Sequence, residues 1–435
     1  MTFAHELKDE LNAVIEDISS DPKLYAENPD RDFSRSRVFD MKTIIQVLLT
    51  IGGNSLNKEL YEFFKGTNQF ATVSAFVQQR KKLKPEALEE IFHEFNEICN
   101  DEKLFHGYRL LAVDGSVMAY NGTPAQDTYL PKSGHGVNQY HVNAVYDIMN
   151  KTYADVIIQP QPQTNEPKAA WQMMERMADG EKVILMGDRG YASINLMEHI
   201  NRIQNAEYLL RIKNNQWKNI RDLPKEDFDI DIKINLRTTQ TNKDKEAYAK
   251  GEAKWVPGHG KYRRLKRPVW DFESPYSVTV RIVRFKISDD EYETIATSLP
   301  RATFPPGLIK QVYHLRWGIE TSFRELKYAI GVTNFHAKKC KSIVQEIWAR
   351  LIMYNFAERI TMHTVIYKDN GHKWTYQANY TMGIHICLDF FRTHNEDPPD
   401  PEIEIARYIL PIRPNRADRR KVEQKPAVFF IYRVS

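Results

Sequence analysis

The run Val183-Ile-Leu-Met-Gly-Asp-Arg-Gly-Tyr191 decides how this chain is read: five uncharged residues, then an acid, then turn-forming residues. A short apolar run closed by Asp-Arg-Gly reads as a buried strand that ends at Asp188. Upstream, Leu110-Leu-Ala-Val-Asp-Gly-Ser116 repeats the pattern and predicts a second such strand ending at Asp114. A carboxylate at the end of a central strand is positioned by the sheet, and open α/β sheets bind ligands just beyond those ends. For either Asp alone, a turn or a helix cap is the simpler explanation.

Outward from these two runs the chain alternates strands and helices. Residues 139–149 alternate Tyr140, Val142, Ala144, Tyr146 and Ile148 with Gln139, His141, Asn143 and Asp147, which predicts a half-buried strand. Tyr153 to Gln159 can pair with it across a turn at Asn150-Lys151. Glu166 to Met177 reads as a helix and Glu207 to Ile212 as a further strand.

The third acid comes from Tyr313-His-Leu-Arg-Trp-Gly-Ile-Glu-Thr-Ser-Phe-Arg-Glu-Leu-Lys327. On one continuous helix starting after Pro305-Pro306 and stopping at Gly331, Tyr313, Arg316, Glu320 and Lys327 fall within an arc of about 60°. Val312, Leu315, Ile319, Phe323, Leu326 and Ile330 form a stripe about 90° away, the face such a helix buries. Glu325 competes with Glu320, but five residues on it points about 140° away. A solvated surface with an i,i+4 Arg-Glu pair is the ordinary reading of such charges.

Three carboxylates brought together repel, and would take up protons unless a cation joined them. Hard oxygen ligands favour Mg²⁺ or Mn²⁺, and two such ions can serve phosphoryl transfer on a phosphodiester.

Tyr313, Arg316, Glu320 and Lys327 match a Y-x2-R-x3-E-x6-K spacing, preceded in order by Asp114 and Asp188. In this the chain resembles the bacterial insertion-sequence transposases with a DDE triad, over about residues 38–337. The resemblance implies an α/β fold with a ribonuclease-H-like mixed-sheet core, whose expected order is strand, strand, strand, helix, strand, helix, strand. It implies metal-dependent cleavage at transposon ends and strand transfer into target DNA, a cut-and-paste route with a hairpin intermediate. Asp114, Asp188 and Glu320 would be the catalytic, metal-binding acids for two Mg²⁺ or Mn²⁺ ions. Tyr313, Arg316 and Lys327 would hold DNA phosphate. The implied partners are double-stranded DNA, both transposon ends and target, and a second copy of the chain in a homodimeric DNA complex. An aromatic group stacks on a flipped base in the resembling enzymes; Tyr292 and Trp317 compete for that place, and neither is assigned.

The 132 residues from Asp188 to Glu320 are too many for one strand and one helix, so an insertion is expected at about 214–300. It contains an alternating strand, Ile230 to Leu236, the strands Val278 to Ile287 and Thr294 to Ser298, and a basic run at 261–267. The resemblance implies a mostly β insertion that contacts DNA; a solvated charge run explains the segment too. Residues 1–105 are expected to form a helical DNA-binding domain, 106–340 the catalytic domain, and 341–435 a helical C-terminal region with a basic tail. Ser55 to Phe64 and Thr72 to Leu83 read as a helix-turn-helix, with Ser74, Gln78, Gln79, Arg80, Lys81 and Lys82 facing DNA. A helical bundle with a basic, solvated end fits these residues equally, and the resemblance favours DNA. In the tail, Arg413, Arg416, Arg419, Arg420 and Lys421 suit DNA backbone or a mobile end.

Lys and Arg number 61 against 57 Asp and Glu, a net charge of +4, so a DNA surface must come from local clustering. Cys99, Cys340 and Cys387 are scattered and fit reduced thiols rather than a zinc site or disulfide framework. His135 and His141 lack the clustered ligands of a zinc site and read as loop and strand-face residues. Asn165 to Pro167 and Tyr191 receive no catalytic role. With no secretory signal and no apolar stretch of about 20 residues, a cytoplasmic, nucleoid-associated protein without membrane contact is expected. Three alternatives remain: a nuclease of the same fold that does not join ends, a transposase-derived regulator that binds without cutting, and a purely structural multimer, which gives no reason for the polar stripe around Glu320.

Overall fold

The structure is a computed structural model and describes residues 2–35, 37–99, 103–121, 125, 127–130, 136–177, 180–213, 217–221, 223–258, 270–288, 291–330, 335–366, 375–393 and 398–412. The basic run at 261–267, the five basic tail residues, His135 and Gly331 lie outside the described residues. The chain divides into a helical unit, Met1–Asp101, Met118–Gln139 and Ser322–Ser435, and a sheet unit, Glu102–Val117 and Tyr140–Thr321.

The N-terminal helices are α1 (Phe3–Ser20), α2 (Pro22–Tyr25), α3 (Met41–Thr50), α4 (Leu56–Phe64), α5 (Val73–Arg80) and α6 (Glu86–Ile98). Their starts are written locally: Asp40 Oδ1 accepts from the Thr43 N–H at 2.7 Å, and Thr72 Oγ1 from the Ala75 N–H at 3.2 Å. The α4–α5 pair therefore forms where the sequence predicts it. Its second helix does not present all the expected side chains, however. Arg80 and Gln79 are buried, and the Arg80 guanidinium donates to Gln345 Oε1, Glu346 Oε1 and the Ser342 carbonyl at 3.2, 2.9 and 3.0 Å. Arg80 is thus an internal cation of the helical unit and not a DNA contact.

Next come β1 (Arg109–Tyr120), β2 (Tyr129–Leu130), β3 (Val137–Asp147), β4 (Thr152–Pro160), α7 (Glu166–Met177), β5 (Val183–Gly187), α8 (Ile194–Asn201) and β6 (Ala206–Ile212). Apart from the two-residue β2, which pairs with the first residues of β3, this is the ribonuclease-H-like order. Then follow α9 (Lys218–Arg221), β7 (Phe228–Arg237), α10 (Asn242–Lys250), β8 (Lys254–Trp255), β9 (Tyr276–Lys286), β10 (Tyr292–Thr297), α11 (Pro306–Leu315) and α12 (Trp317–Tyr328). The strands lie side by side as β4-β3-β1-β5-β6-β10-β9-β7-β8. β1, β5 and β6 are parallel neighbours, whereas β10, β9 and β7 add on antiparallel, so the β-rich segment continues the core sheet through β6.

Both faces of this sheet are covered, which is why its central strands are apolar without alternation. Leu110, Ile184 and Met186 pack with Ile309, Val312 and Tyr313 of α11 on one face. Leu111, Val113, Val183 and Leu185 pack with Ala170, Met173 and Met174 of α7 and Leu196, Met197 and Ile200 of α8 on the other. β3 departs from its half-buried expectation for the same reason: His141, Asn143 and Asp147 are buried. Asn143 Nδ2 donates to the Ile157 carbonyl at 3.1 Å, and Asp147 Oδ1 accepts from the N–H groups of Met149 and Asn150 at 3.0 Å each.

The C-terminal elements are α13 (Cys340–His363), β11 (Thr375–Ala378), α14 (Tyr380–Arg392), α15 (Pro401–Ile405) and β12 (Ile409–Ile412). α13 is the centre of the helical unit, buried nearly all round and packed on α1, α3, α6 and α14. The helices before β1 and those after residue 340 therefore share one core. No described helix is long and apolar enough to cross a membrane.

Candidate active site

β1 and β5 run parallel, and their last paired residues are Val113 and Gly187. Asp114 and Asp188 are the next residue on each strand, so the two acids leave adjacent strands at the same level, where strand spacing is about 5 Å. Asp114 does not end its strand as expected; β1 runs on to Tyr120. Its position is defined by the end of pairing with β5. Asp114 Oδ1 accepts from the Gly115 N–H at 2.8 Å, and Asp188 Oδ1 from the Gly190 N–H at 2.7 Å. Each carboxylate is anchored by a nearby main-chain N–H, that of Gly115 within β1 and that of Gly190 in the turn after β5.

Glu320 reaches the pair from α12. The expected single helix is two, with Arg316 between them: the Arg316 N–H bonds the Tyr313 carbonyl at 3.1 Å and the Ile319 N–H bonds the Arg316 carbonyl at 3.2 Å. These three-residue bonds tighten the turn at Arg316 to about three residues. Leu315, expected in the buried stripe, is accordingly 38% exposed, while Val312, Ile319, Phe323, Leu326 and Ile330 are buried. Two residues on, a Cβ at Gly318 would stand 2.9 Å from Ile148 Cδ1, so glycine lets α12 approach the turn after β3.

Burial pushes the Asp114 carboxyl up to about 6, and Asp188 and Glu320 add to the shift, against the Gly115 N–H and the Arg316 guanidinium. The three acids therefore share one electrostatic neighbourhood. Arg316, only 4% exposed, donates from Nη2 to Glu320 Oε1 at 2.9 Å. Burial disfavours this cation, but Tyr313, Glu320 and Asp114 outweigh it and raise its pKa. Tyr313 is 3% exposed and its hydroxyl meets the Gly187 carbonyl at 3.4 Å, a long hydrogen bond that ties α11 to the strand end before Asp188. Lys327 is half-buried on the part of α12 that belongs to the helical unit. There too Glu325 Oε2 accepts from the Tyr354 hydroxyl at 3.1 Å. Of the two aromatic candidates, Trp317 is exposed next to Arg316 and Tyr292 opens β10.

Three residues given no catalytic role also belong to this neighbourhood. His141 Nε2 stands 3.0 Å from Glu166 Oε1, and the Tyr191 phenol is raised well above its usual pKa by burial, then by Glu166, Asp114 and Asp188. The sequence signal for them was weak: a polar residue on a strand face, an acid opening a helix, and a tyrosine three residues after Asp188. Beside Asp188 opens a cleft of about 520 Å³ whose walls include Arg189, Gly190, Lys213, Lys254, Trp255 and Trp270. Burial lowers the Lys254 ammonium to about 8.

All candidate donors among the three acids are carboxylate oxygens, the set that suits Mg²⁺ or Mn²⁺. Burial first, and then Asp188 and Glu320, drive Asp114 towards protonation, and a divalent ion would offset that cost, so the donor chemistry suits the metal. The arrangement is not yet a cage: among the described residues no three His, Cys, Asp or Glu side chains converge closely enough to hold an ion, and Glu320 is engaged by Arg316.

Two acids level beyond the paired stretch of β1 and β5, on a sheet of ribonuclease-H-like order, are the arrangement expected of an enzyme that cuts nucleic acid by phosphoryl transfer. Residues 105–356 match the transposase DDE domain, more than half of the sequence, and the chain belongs to that family: it is a DDE transposase. It is 22% identical over 380 residues to the transposase InsG for insertion sequence element IS4 of Escherichia coli (strain K12), covering 83% of this chain and 78% of that protein. Among solved structures, the piggyBac transposase synaptic complex with hairpin DNA aligns over 94% of this chain and 84% of that chain, with a TM-score of 0.45 and 11% identity. Enzymes of the DDE family use divalent metal ions and act on DNA.

Proposed function

We propose that this transposase cleaves DNA at the ends of an insertion sequence and joins the freed 3′ ends to target DNA, with Asp114, Asp188 and Glu320 as its catalytic acids. The observation that carries the reading is the parallel Val113–Gly187 pair, after which both Asp residues follow at once. The three acids would hold two Mg²⁺ or Mn²⁺ ions, whose Lewis acidity activates the attacking oxygen and stabilises the leaving one. Asp114 and Asp188, fixed by the Gly115 and Gly190 N–H groups, require little reorganisation. Glu320 is the movable member, because Arg316 now holds it; a DNA phosphate competing for the Arg316 guanidinium would release it. Lys327 serves as a further phosphate contact, and Tyr313 either keeps its bond to Gly187 or turns to phosphate.

The cationic and aromatic cleft beside Asp188 suits a DNA strand entering the site. Joining two ends calls for two copies of the chain, a homodimer in the DNA complex. A hairpin on the transposon end fits a cut-and-paste route, with Trp317 or Tyr292 as the stacking aromatic.

The test incubates purified protein with end DNA and a target plasmid, with Mg²⁺ or with chelator, and maps broken and joined ends. Metal-dependent cleavage and joining are expected. Both should fall on the order of a thousandfold in Asp188→Asn and Glu320→Gln while end binding is retained. Unaltered cleavage in Glu320→Gln removes that residue from the triad. Cleavage without joining makes the chain a nuclease, and binding without cleavage a regulator.

A further inference from the structure

We propose that a basic cup in the helical unit, formed by Arg31, Arg35, Arg37 and Lys82 over the buried amide of Gln79, holds a backbone phosphate of duplex DNA, an inference that rests on the reading of this chain as an enzyme that binds DNA ends. The cup lies where the segment between α2 and α3 folds against the end of α5. That segment is pinned at both ends. The Glu27 N–H donates to the Lys82 carbonyl and the Lys84 N–H to the Tyr25 carbonyl, at 2.8 Å each, and Asp40 caps α3. Phe39, also in the lining, is buried and packs against Phe64 of α4 and Phe76 of α5, with ring centroids 5.7 and 5.5 Å apart.

The charge of the cup is one-sided. Arg31, Arg35 and Arg37 are exposed, and none makes an ion pair or a side-chain hydrogen bond among the described residues. The neighbouring acid turns inward instead: Asp32 is buried, one oxygen accepts from the Asn28 N–H and Nδ2 at 3.1 and 2.9 Å, and the other stands 3.8 Å from Lys82 Nζ. Asp32 thus steadies Lys82 and leaves three guanidinium groups uncompensated. No described acid lines the cup.

A second, separate observation comes from Gln79. It is 8% exposed and lines the cup, yet its side chain has no hydrogen-bond partner among the described residues. A buried amide facing a cationic cup supplies an N–H for an anionic oxygen. Phe33, in the same lining, has a φ of 60°, a left-handed backbone that bulky residues rarely adopt and that is held mostly at ligand sites. Size selects the anion. The cup measures about 170 Å³, below the roughly 300–1,000 Å³ of pockets for whole small molecules, and so admits a phosphate group but not a nucleotide. Guanidinium forks match phosphate oxygens, and a contact to phosphate positions DNA without reading its sequence.

The experiment measures, by fluorescence anisotropy over a range of salt, binding of full-length protein to an end-DNA duplex and to a scrambled duplex, with thermal unfolding as a folding control. The double variant Arg35→Gln, Arg37→Gln is expected to weaken both duplexes alike, by about tenfold. It should also lower the slope of log affinity against log salt by about 2. Gln79→Leu removes no charge and should weaken both about threefold with the slope unchanged. Wild-type affinity in Gln79→Leu would reduce the arginines to diffuse surface charge and overturn the cup. Unchanged affinity and slope in the arginine pair, while wild type binds end DNA, overturns this inference and leaves the proposed function standing. A loss confined to the end sequence means base reading and overturns the phosphate assignment. If wild type binds neither duplex, the reading of the chain as an end-binding enzyme fails and this inference with it.

Discussion

The helical unit and the sheet unit each bury a carboxylate, and they treat it in opposite ways. Burial of Glu346 disfavours its charge, but the His336 side chain, Arg80 and Arg350 outweigh it and hold the carboxyl down at about 2. Its Oε2 accepts from the His336 N–H at 2.9 Å, and its Oε1 from the Ala337 N–H at 3.1 Å and from Arg80 at 2.9 Å. Burial of Asp114 meets two further acids instead, and the carboxyl rises to about 6. The first arrangement strengthens the fold. The second costs stability and leaves negative charge ready for a cation.

The contrast can be broken most forcefully at Arg80. Arg80→Ala removes the cation hydrogen-bonded to buried Glu346, leaving it the His336 and Ala337 N–H groups and Arg350, and should destabilise the protein by about 3 kcal/mol in urea unfolding. A loss below about 1 kcal/mol, accompanied by weaker end binding, would return Arg80 to the DNA-facing role expected from sequence.

Asp114 allows the opposite test. Its folded pKa of about 6 lies above the ordinary 3.8, so the folded state binds the proton more tightly and stability falls as pH rises from about 4 to 6. Glu346 has the reverse sign: its contribution is full above about 4.5 and disappears as pH falls towards 2. Asp114→Asn in chelator should therefore stabilise the protein by up to about 3 kcal/mol at pH 8 and by almost nothing below pH 4. An equal effect at both pH values would separate the change from the Asp114 charge.

The smallest effect is expected at Tyr313. Tyr313→Phe removes a 3.4 Å bond to the Gly187 carbonyl and should cost about 1 kcal/mol or less. End-DNA affinity then distinguishes two roles. No change keeps the hydroxyl on Gly187, and a tenfold loss means that it turns to phosphate in the complex.

Much of the core was legible because its signals are local. An apolar run closed by an Asp marks a buried strand, and both strands, their neighbours and the helix at 166–177 form where the sequence predicts, although β1 runs on past Asp114 to Tyr120. The α4–α5 pair was readable from its cap and turn residues. Three features were not. The tightening at Arg316 depends on Glu320 and on close approach at Gly318 to Ile148, neither visible in helical spacing. The burial of His141 and Asp147 on β3 depends on layers covering both faces of the sheet. Arg80 looked like a surface cation because its partners Gln345 and Glu346 are more than 260 residues away.

By itself the sequence determined which residues could do the chemistry: three acids in order, the spacing around Glu320, and the strands that carry two of them. Those properties are encoded in periodicity and residue type over a few turns of chain. The tertiary structure alone decided which of these groups meet. Strand pairing at Val113 and Gly187 brings Asp114 and Asp188 level, and packing brings His141 to Glu166 and buries Tyr191 within the field of Glu166, Asp114 and Asp188. Register and burial are properties of assembled layers, so no local pattern in the chain could have specified them.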